Sequence, residues 1–323
     1  MLTLQDINEA YYRINSFIHN TPILTNTSLN QLTGSELYFK CENFQKTGSF
    51  KIRGAMNTVL QLSESQLERG LVTASSGNHG AAISMAATIC RSKVKVIMPK
   101  NTPKIKIDNV KRNNGEIIWC DPNQASRDYI LESVLDDTNG VLVHPYNDER
   151  VMAGQGTIAK ELLENVPELD IIITPVSGGG LLSGTICAIK SINKNIQVFG
   201  AEPLEADDTY RSLIAGKIQS NETTDTICDG LRAQVGTLPF PIINKLVDDI
   251  ITLTEQEIIS ALKMIMERMK IIVEPSCSIT LAAVLKRKDL FLGKKVGLIL
   301  TGGNIDLVNV GNLFDIKDFT NNE

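Results

Sequence analysis

Short apolar runs alternate with amphipathic or alanine-rich stretches along most of the chain. Leu71–Ala74, 94–98, Glu116–Cys120 and 141–144 read as strands, because each is a brief β-branched or aliphatic run between polar or glycine breaks. The pattern restarts after 148, with strands expected at 170–174, 197–201, Asp249–Leu253 and Lys295–Leu300. Between them lie helical stretches. Thr254 and Glu257 are spaced as a capping box, and Thr102 reads as a cap with Pro103 at the first helical position. Strands alternating with helices imply parallel sheets covered on both faces, so the fold class is α/β. Four strands in 70–147 and at least four after 148 suggest two sheets in two domains. The expected division is a small domain, 70–147, and a large domain, 1–69 with 148–323.

Composition narrows the class without touching chemistry. The chain has 323 residues, 42% of them hydrophobic and 21% charged, enough for a sizeable core and too apolar for disorder. A net charge of -5 leaves no basic footprint for nucleic acid or an acidic membrane. No apolar run is long enough to span a bilayer, and no basic segment precedes an apolar one at the N-terminus. Six dispersed cysteines and three histidines lack metal-ligand spacing, which suggests a reduced, cytoplasmic-type protein.

Ligands in such folds sit beyond the carboxyl ends of strands, and the loops there are unusual. Ser177-Gly178-Gly179-Gly180-Leu181 can aim backbone N–H groups at one point beside a helix N-terminus, an anion cradle suited to phosphate. The same loop is also a near miss to a dinucleotide fingerprint, Gly178-x-Gly180-x-x-Ser183, with Glu202 22 residues past Gly180. Lys51, between Phe50 and Ile52, is either a surface lysine at a helix start or a desolvated amine able to bond an aldehyde. Ser75-Ser76-Gly77-Asn78-His79-Gly80 is either an N-capping cluster or a carboxylate-binding nest. Thr301, before Gly302-Gly303-Asn304, can cap a turn or face a pyridine nitrogen. A phosphate cradle together with an aldehyde-bonding lysine is what pyridoxal phosphate requires.

Together these motifs, with Ala153-Gly154-Gln155-Gly156-Thr157, Gly200-Ala201-Glu202-Pro203 and Glu274-Pro275, resemble the serine racemase and serine/threonine dehydratase family. That family belongs to the fold-type II pyridoxal phosphate enzymes, which are tryptophan synthase β-like. The resemblance runs from about Ile7 to Leu313. It implies that Lys51 holds the cofactor and acts as base on one face of the substrate Cα, with Ser76 as acid/base on the other. It implies that Phe50 packs on the cofactor ring, Asn78 bonds its phenolic oxygen, Ser177, Gly178, Gly179, Gly180 and Leu181 hold its phosphate, and Thr301 faces its ring nitrogen. Ser75, Ser76, Asn78, His79 and Arg127 fall where the family binds substrate. Glu202, the Ala206 carbonyl and Asp208 match a divalent-cation site for Mg²⁺, Ca²⁺ or Mn²⁺. Lys46, Thr47, Arg268, Lys270 and Asn304 match in part the ATP site of animal serine racemases, with Ala81 in place of a glutamine. The implied partners are a small amino acid and a second copy of the chain, as a homodimer.

The expected function is serine racemisation with β-elimination of serine to pyruvate and ammonia. The alternative is a threonine or 3-hydroxyaspartate dehydratase with little racemisation. A nicotinamide-dependent dehydrogenase and a non-catalytic binding protein are the readings outside this class. Ser177 stands for the first glycine of a commoner four-glycine run, Thr301 for serine, Ala233 for serine and Tyr146 for asparagine. No regulatory domain like that of biosynthetic threonine dehydratases is expected after the last strand.

Overall fold

The computed structural model describes residues 2–75 and 77–314, with Asn309 by its backbone alone. Ten strands are found among them: β1 (Ile23–Leu24), β2 (Glu36–Cys41), β3 (Leu71–Ala74), β4 (Val94–Pro99), β5 (Glu116–Cys120), β6 (Val141–Leu142), β7 (Ile171–Pro175), β8 (Gln197–Pro203), β9 (Asp249–Leu253) and β10 (Lys295–Leu300). They form two sheets. One has six strands in the order β1-β2-β10-β7-β8-β9, and the other has four in the order β5-β4-β3-β6. Only the β1–β2 pair is antiparallel. The four-stranded sheet is drawn entirely from residues 71–142.

Seven helices position the site: α1 (Lys51–Val59), α2 (Asn78–Ile89), α3 (Lys104–Arg112), α4 (Glu149–Asn165), α5 (Gly180–Ile192), α6 (Glu255–Met269) and α7 (Pro275–Lys286). The period of two along a strand sorts residues between the two faces of the six-stranded sheet. Ile171 and Ile173 of β7 join the cluster that holds Leu298 and Leu300, while Ile172 joins the one on the opposite face with Ile299 and Val198. Both faces are covered, which explains the uninterrupted Ile171-Ile172-Ile173 run.

Strand and cap expectations need small corrections. β6 ends at Leu142 rather than at 144. Beyond it, the Val143 carbonyl accepts from the Thr73 hydroxyl at 2.8 Å, and His144 Nδ1 accepts from the N–H groups of Tyr146 (3.3 Å) and Asn147 (2.9 Å), turning the chain. Pro103 is the cap of α3 rather than its first residue, because its ψ of 139° is extended. Thr102 makes no capping bond there, and its hydroxyl is buried without a partner. β1 and β2 precede all the strands read from the sequence. The capping box at Thr254 is present, closing the N-terminus of α6 with Glu257. No helix among the described residues is long and apolar enough to cross a membrane.

Three helix contacts depend on missing side chains. A Cβ on Gly154 of α4 would fall 2.6 Å from the Arg53 carbonyl oxygen of α1, and one on Gly156 would fall 2.8 Å from the Gly184 carbonyl oxygen of α5. A Cβ on Gly184 would strike the Met152 carbonyl oxygen. The motif Ala153-Gly154-Gln155-Gly156-Thr157 is thus a seam at which α4 touches both α1 and α5 backbone to backbone.

Candidate active site

The carboxyl ends of β3, β7 and β10 open on one cavity of about 860 Å³. Phe50, Lys51, Ser75, Asn78, His79, Arg127, Ser177, Gly178, Gly179, Gly180, Leu181 and Thr301 all line it. The structure therefore brings together every residue assigned by resemblance to the cofactor and substrate, save Ser76, which lies outside the described residues.

Lys51 opens α1, and the chain before it is pinned to the end of β10. Ser49 bridges Gly302, and the Phe50 N–H donates 3.0 Å to the Thr301 carbonyl. The Lys51 amine donates 3.0 Å to the Pro145 carbonyl and lies 5.1 Å from the centre of the Phe50 ring. Burial lowers its pKa to about 8, against a smaller upward pull from Glu274. It is not a surface lysine.

The glycine loop follows β7. Gly179 has φ +85°, a left-handed conformation that favours glycine, and it caps α5. The N–H groups of Ser177, Gly178, Gly179, Gly180 and Leu181 find no acceptor among the described residues. Five free donors at a helix N-terminus, with a neutralisable amine in the same cavity, fit the phosphate and aldehyde of pyridoxal phosphate. The Tyr146 ring lies directly on Gly178, where a Cβ would strike it, and a Cβ on Gly180 would fall 3.0 Å from the Tyr146 Cβ.

The loop after β3 divides its tasks. Ser75 Oγ accepts from the N–H groups of Gly77 (3.2 Å) and Gly80 (3.1 Å), so this serine does cap α2. The N–H groups of Asn78 and His79 have no acceptor among the described residues. The Asn78 amide donates 2.8 Å to Glu274 Oε1 and accepts 2.8 Å from Asn304 Nδ2, which leaves one amide hydrogen for a ligand. His79 Nε2 lies 3.2 Å from the Val143 carbonyl, and its Nδ1 is buried without a partner. Burial, then the charge of Lys51, lowers the His79 pKa to about 3, so the ring is neutral at pH 7. Arg127 reaches the cavity from a half-buried position and donates to Gln124.

Five charged residues that line the cavity, Lys106, Asp128, Asp229, Arg232 and Glu274, are not among the site residues read from the sequence. Glu274 is buried, its Oε2 has no partner, and burial raises its pKa to about 7. Lys106 of α3 pairs with Asp229, and both line the cavity. Glu274-Pro275 is visible as a motif, yet nothing in its spacing shows that the carboxylate is enclosed. Lys106 and Asp229 lie 123 residues apart and carry no local signal.

Beyond β8, Glu202 and Asp208 form a second polar site. Glu202 accepts from the N–H groups of Thr209 (3.3 Å) and Tyr210 (3.0 Å). Asp208 accepts from the Val235 N–H (2.7 Å) and the Asn221 amide (2.8 Å). Burial, then the charge of Asp208, holds the Glu202 pKa well above the ordinary range, and burial lifts that of Asp208 to about 6. Neither carboxylate has an ion pair among the described residues, and Ala206 is buried on the chain between them. No three His, Cys, Asp or Glu side chains converge there, so a cation would rest on two carboxylates and oxygen atoms of the backbone. Hard oxygen ligands of this type fit Mg²⁺, Ca²⁺ or Mn²⁺.

The residues matched to an ATP site are divided. Asn304 donates 2.8 Å to the Thr47 carbonyl and also contacts Asn78. Arg268 bonds Ser28 Oγ at 3.1 Å, and the Lys270 amine bonds the Glu267 carbonyl. No hydrogen bond joins Arg268 or Lys270 to Lys46, Thr47 or Asn304 among the described residues.

Residues 14–302 match the family described as pyridoxal-phosphate dependent enzyme. The chain is 49% identical to a serine racemase of Dictyostelium discoideum over 97% of its own length and 98% of that protein. It is 44% identical to a beta-hydroxyaspartate dehydratase of Paracoccus denitrificans, covering 94% of this chain and 97% of that one. The solved structure of maize serine racemase superposes with a TM-score of 0.94 at 44% identity, covering 97% of each chain.

Proposed function

The chain belongs to the pyridoxal-phosphate dependent enzymes, and we propose that within that family it interconverts L- and D-serine and eliminates water from serine to an aminoacrylate, which water then hydrolyses to pyruvate and ammonia. The observation that carries the reading is the Lys51 amine, lowered to a pKa of about 8 in the same cavity as five unpartnered N–H groups.

Bound pyridoxal phosphate supplies an electron sink that makes the Cα–H of an amino acid acidic. Ser177, Gly178, Gly179, Gly180 and Leu181 would hold its phosphate, Lys51 its aldehyde carbon, Phe50 and Asn78 its ring, and Thr301 its ring nitrogen. The N–H groups of Asn78 and His79 orient the substrate carboxylate, with Ser75 fixing their loop. Arg127 adds positive charge at the cavity wall. A depressed pKa lets the Lys51 amine be neutral near physiological pH, so it can accept the Cα proton on its own face. Ser76 supplies the proton on the opposite face. Racemisation and elimination share the first proton transfer and differ in which acid acts next.

A divalent cation (Mg²⁺, Ca²⁺ or Mn²⁺) on Glu202, the Ala206 carbonyl and Asp208 belongs to the same reading and is supported by two buried carboxylates that have no ion pair among the described residues. ATP at Lys46, Thr47, Arg268, Lys270 and Asn304 is supported by the Thr47–Asn304 contact and opposed by Ala81 in place of glutamine. A homodimer, a cytoplasmic location and a division into domains at 70–147 complete the proposal. The second reading, 3-hydroxyaspartate dehydration, is favoured by the 44% identical dehydratase and by Arg127 and Arg232 on the cavity wall.

The test is turnover of both enantiomers of serine, threonine, aspartate and 3-hydroxyaspartate, with magnesium or EDTA. Formation of D-serine and pyruvate from L-serine is expected. Turnover of 3-hydroxyaspartate with no change in either serine enantiomer would establish the second reading instead.

A further inference from the structure

Residues 233–236 lie as a strap across the glycine loop. The Ala233 N–H donates 3.1 Å to Ser177 Oγ, and the same hydroxyl lies 3.3 Å from the Ala233 carbonyl, so one side chain clasps both polar groups of one residue. The Gly236 N–H donates 3.1 Å to the Gly178 carbonyl. Between these two fastenings, the Val235 N–H donates 2.7 Å to Asp208 Oδ2. Val235 is buried, and a Cβ on Gly179 would fall 3.2 Å from its Cγ2, so the strap also packs on the loop. Asp208 Oδ1 is meanwhile held by Asn221 at 2.8 Å. A continuous chain of bonds thus runs from a carboxylate of the candidate cation site, through Val235 and Ala233, to the backbone that would hold the cofactor phosphate.

We propose that Ser177 is a positioning residue that couples the cation site to the phosphate cradle: a cation that fixes Asp208 fixes the strap, and Ser177 passes that order to the N–H groups of Ser177–Leu181. The inference rests on the proposed cofactor and cation sites. A glycine at 177 has no oxygen to clasp Ala233, so the link would then rest on the Gly236–Gly178 bond and packing alone. Binding linkage is reciprocal, so the phosphate-bearing cofactor must tighten the cation by the same factor by which the cation tightens the cofactor.

The experiment follows release of pyridoxal phosphate from the holoenzyme by its absorbance and fluorescence, in EDTA and in magnesium chloride, for the unaltered chain and for Ser177→Ala, Ser177→Gly and Ser177→Thr. Magnesium is expected to strengthen cofactor retention roughly five- to tenfold in the unaltered chain and in Ser177→Thr, which keeps a hydroxyl, and less than about twofold in the other two. The ratio between magnesium and EDTA is the readout, since a merely structural loss weakens retention equally in both. An unchanged ratio in Ser177→Ala or Ser177→Gly would overturn the coupling, as would an unaltered chain whose retention ignores magnesium. A purified protein without the cofactor's absorbance would instead overturn the functional reading, and the coupling with it.

Discussion

The amine of Lys51 donates to the Pro145 carbonyl in a cavity whose walls lower its pKa to about 8. An ordinary lysine titrates near 10.5, and the neutral form is the nucleophile. Cofactor-free protein mixed with pyridoxal phosphate should therefore capture it at a rate that rises about tenfold per pH unit below 8 and levels off above it. A rate still climbing at pH 10 would show an ordinary, solvated lysine. Lys51→Ala should abolish the covalent capture and lower serine turnover by about 10³-fold or more. This residue was legible in the sequence because its neighbours Phe50 and Ile52 and the distant glycine loop imply one chemistry. Glu274 was not. Its carboxylate is enclosed by Gly302 and Asn78, where a Cβ on Gly302 would fall 2.5 Å from Glu274 Oε1, and such long-range enclosure leaves no trace in residue spacing.

At the scale of elements, most strands follow from apolar runs because both faces of each sheet are covered. Ile171-Ile172-Ile173 could hardly be placed otherwise. β2 was missed because Glu36-Leu37-Tyr38-Phe39-Lys40-Cys41 mixes charge with apolar residues. The reason emerges only in three dimensions: Lys40 is fully buried and paired with Glu161 at 2.7 Å. The packing of α4 on α1 depends on Gly154, and Gly154→Ala should destabilise the fold by about 1–3 kcal/mol through overpacking. Urea unfolding would measure it, and a variant within about 0.5 kcal/mol of the original would show that the helices can separate freely.

At the scale of the whole molecule, a buried cluster of charges lies among residues that do not line the cavity. Arg53 bonds Glu42 at 2.8 Å and Glu161 at 2.6 Å, and Lys40 bonds Glu161 at 2.7 Å and the Thr21 carbonyl at 2.8 Å. Two cations and two anions, all buried, are balanced and almost fully hydrogen-bonded. Because they come from β2, the turn after it, α1 and α4, the cluster ties the large sheet to the helix that carries Lys51. Glu161→Leu would leave two buried cations facing one carboxylate, and it should cost about 3–5 kcal/mol in denaturant unfolding. A loss below about 1 kcal/mol would mean that water reaches the cluster.

The seam formed by Gly154, Gly156 and Gly184 has a practical corollary. Where main chain rests on main chain, no substitution is small, so this axle of three helices is closed to redesign. Tyr146 and Ala233 line the cavity instead from segments outside the helices and strands. Anyone retuning which amino acid the enzyme accepts has a fixed frame to work from and wall positions outside that frame to work on.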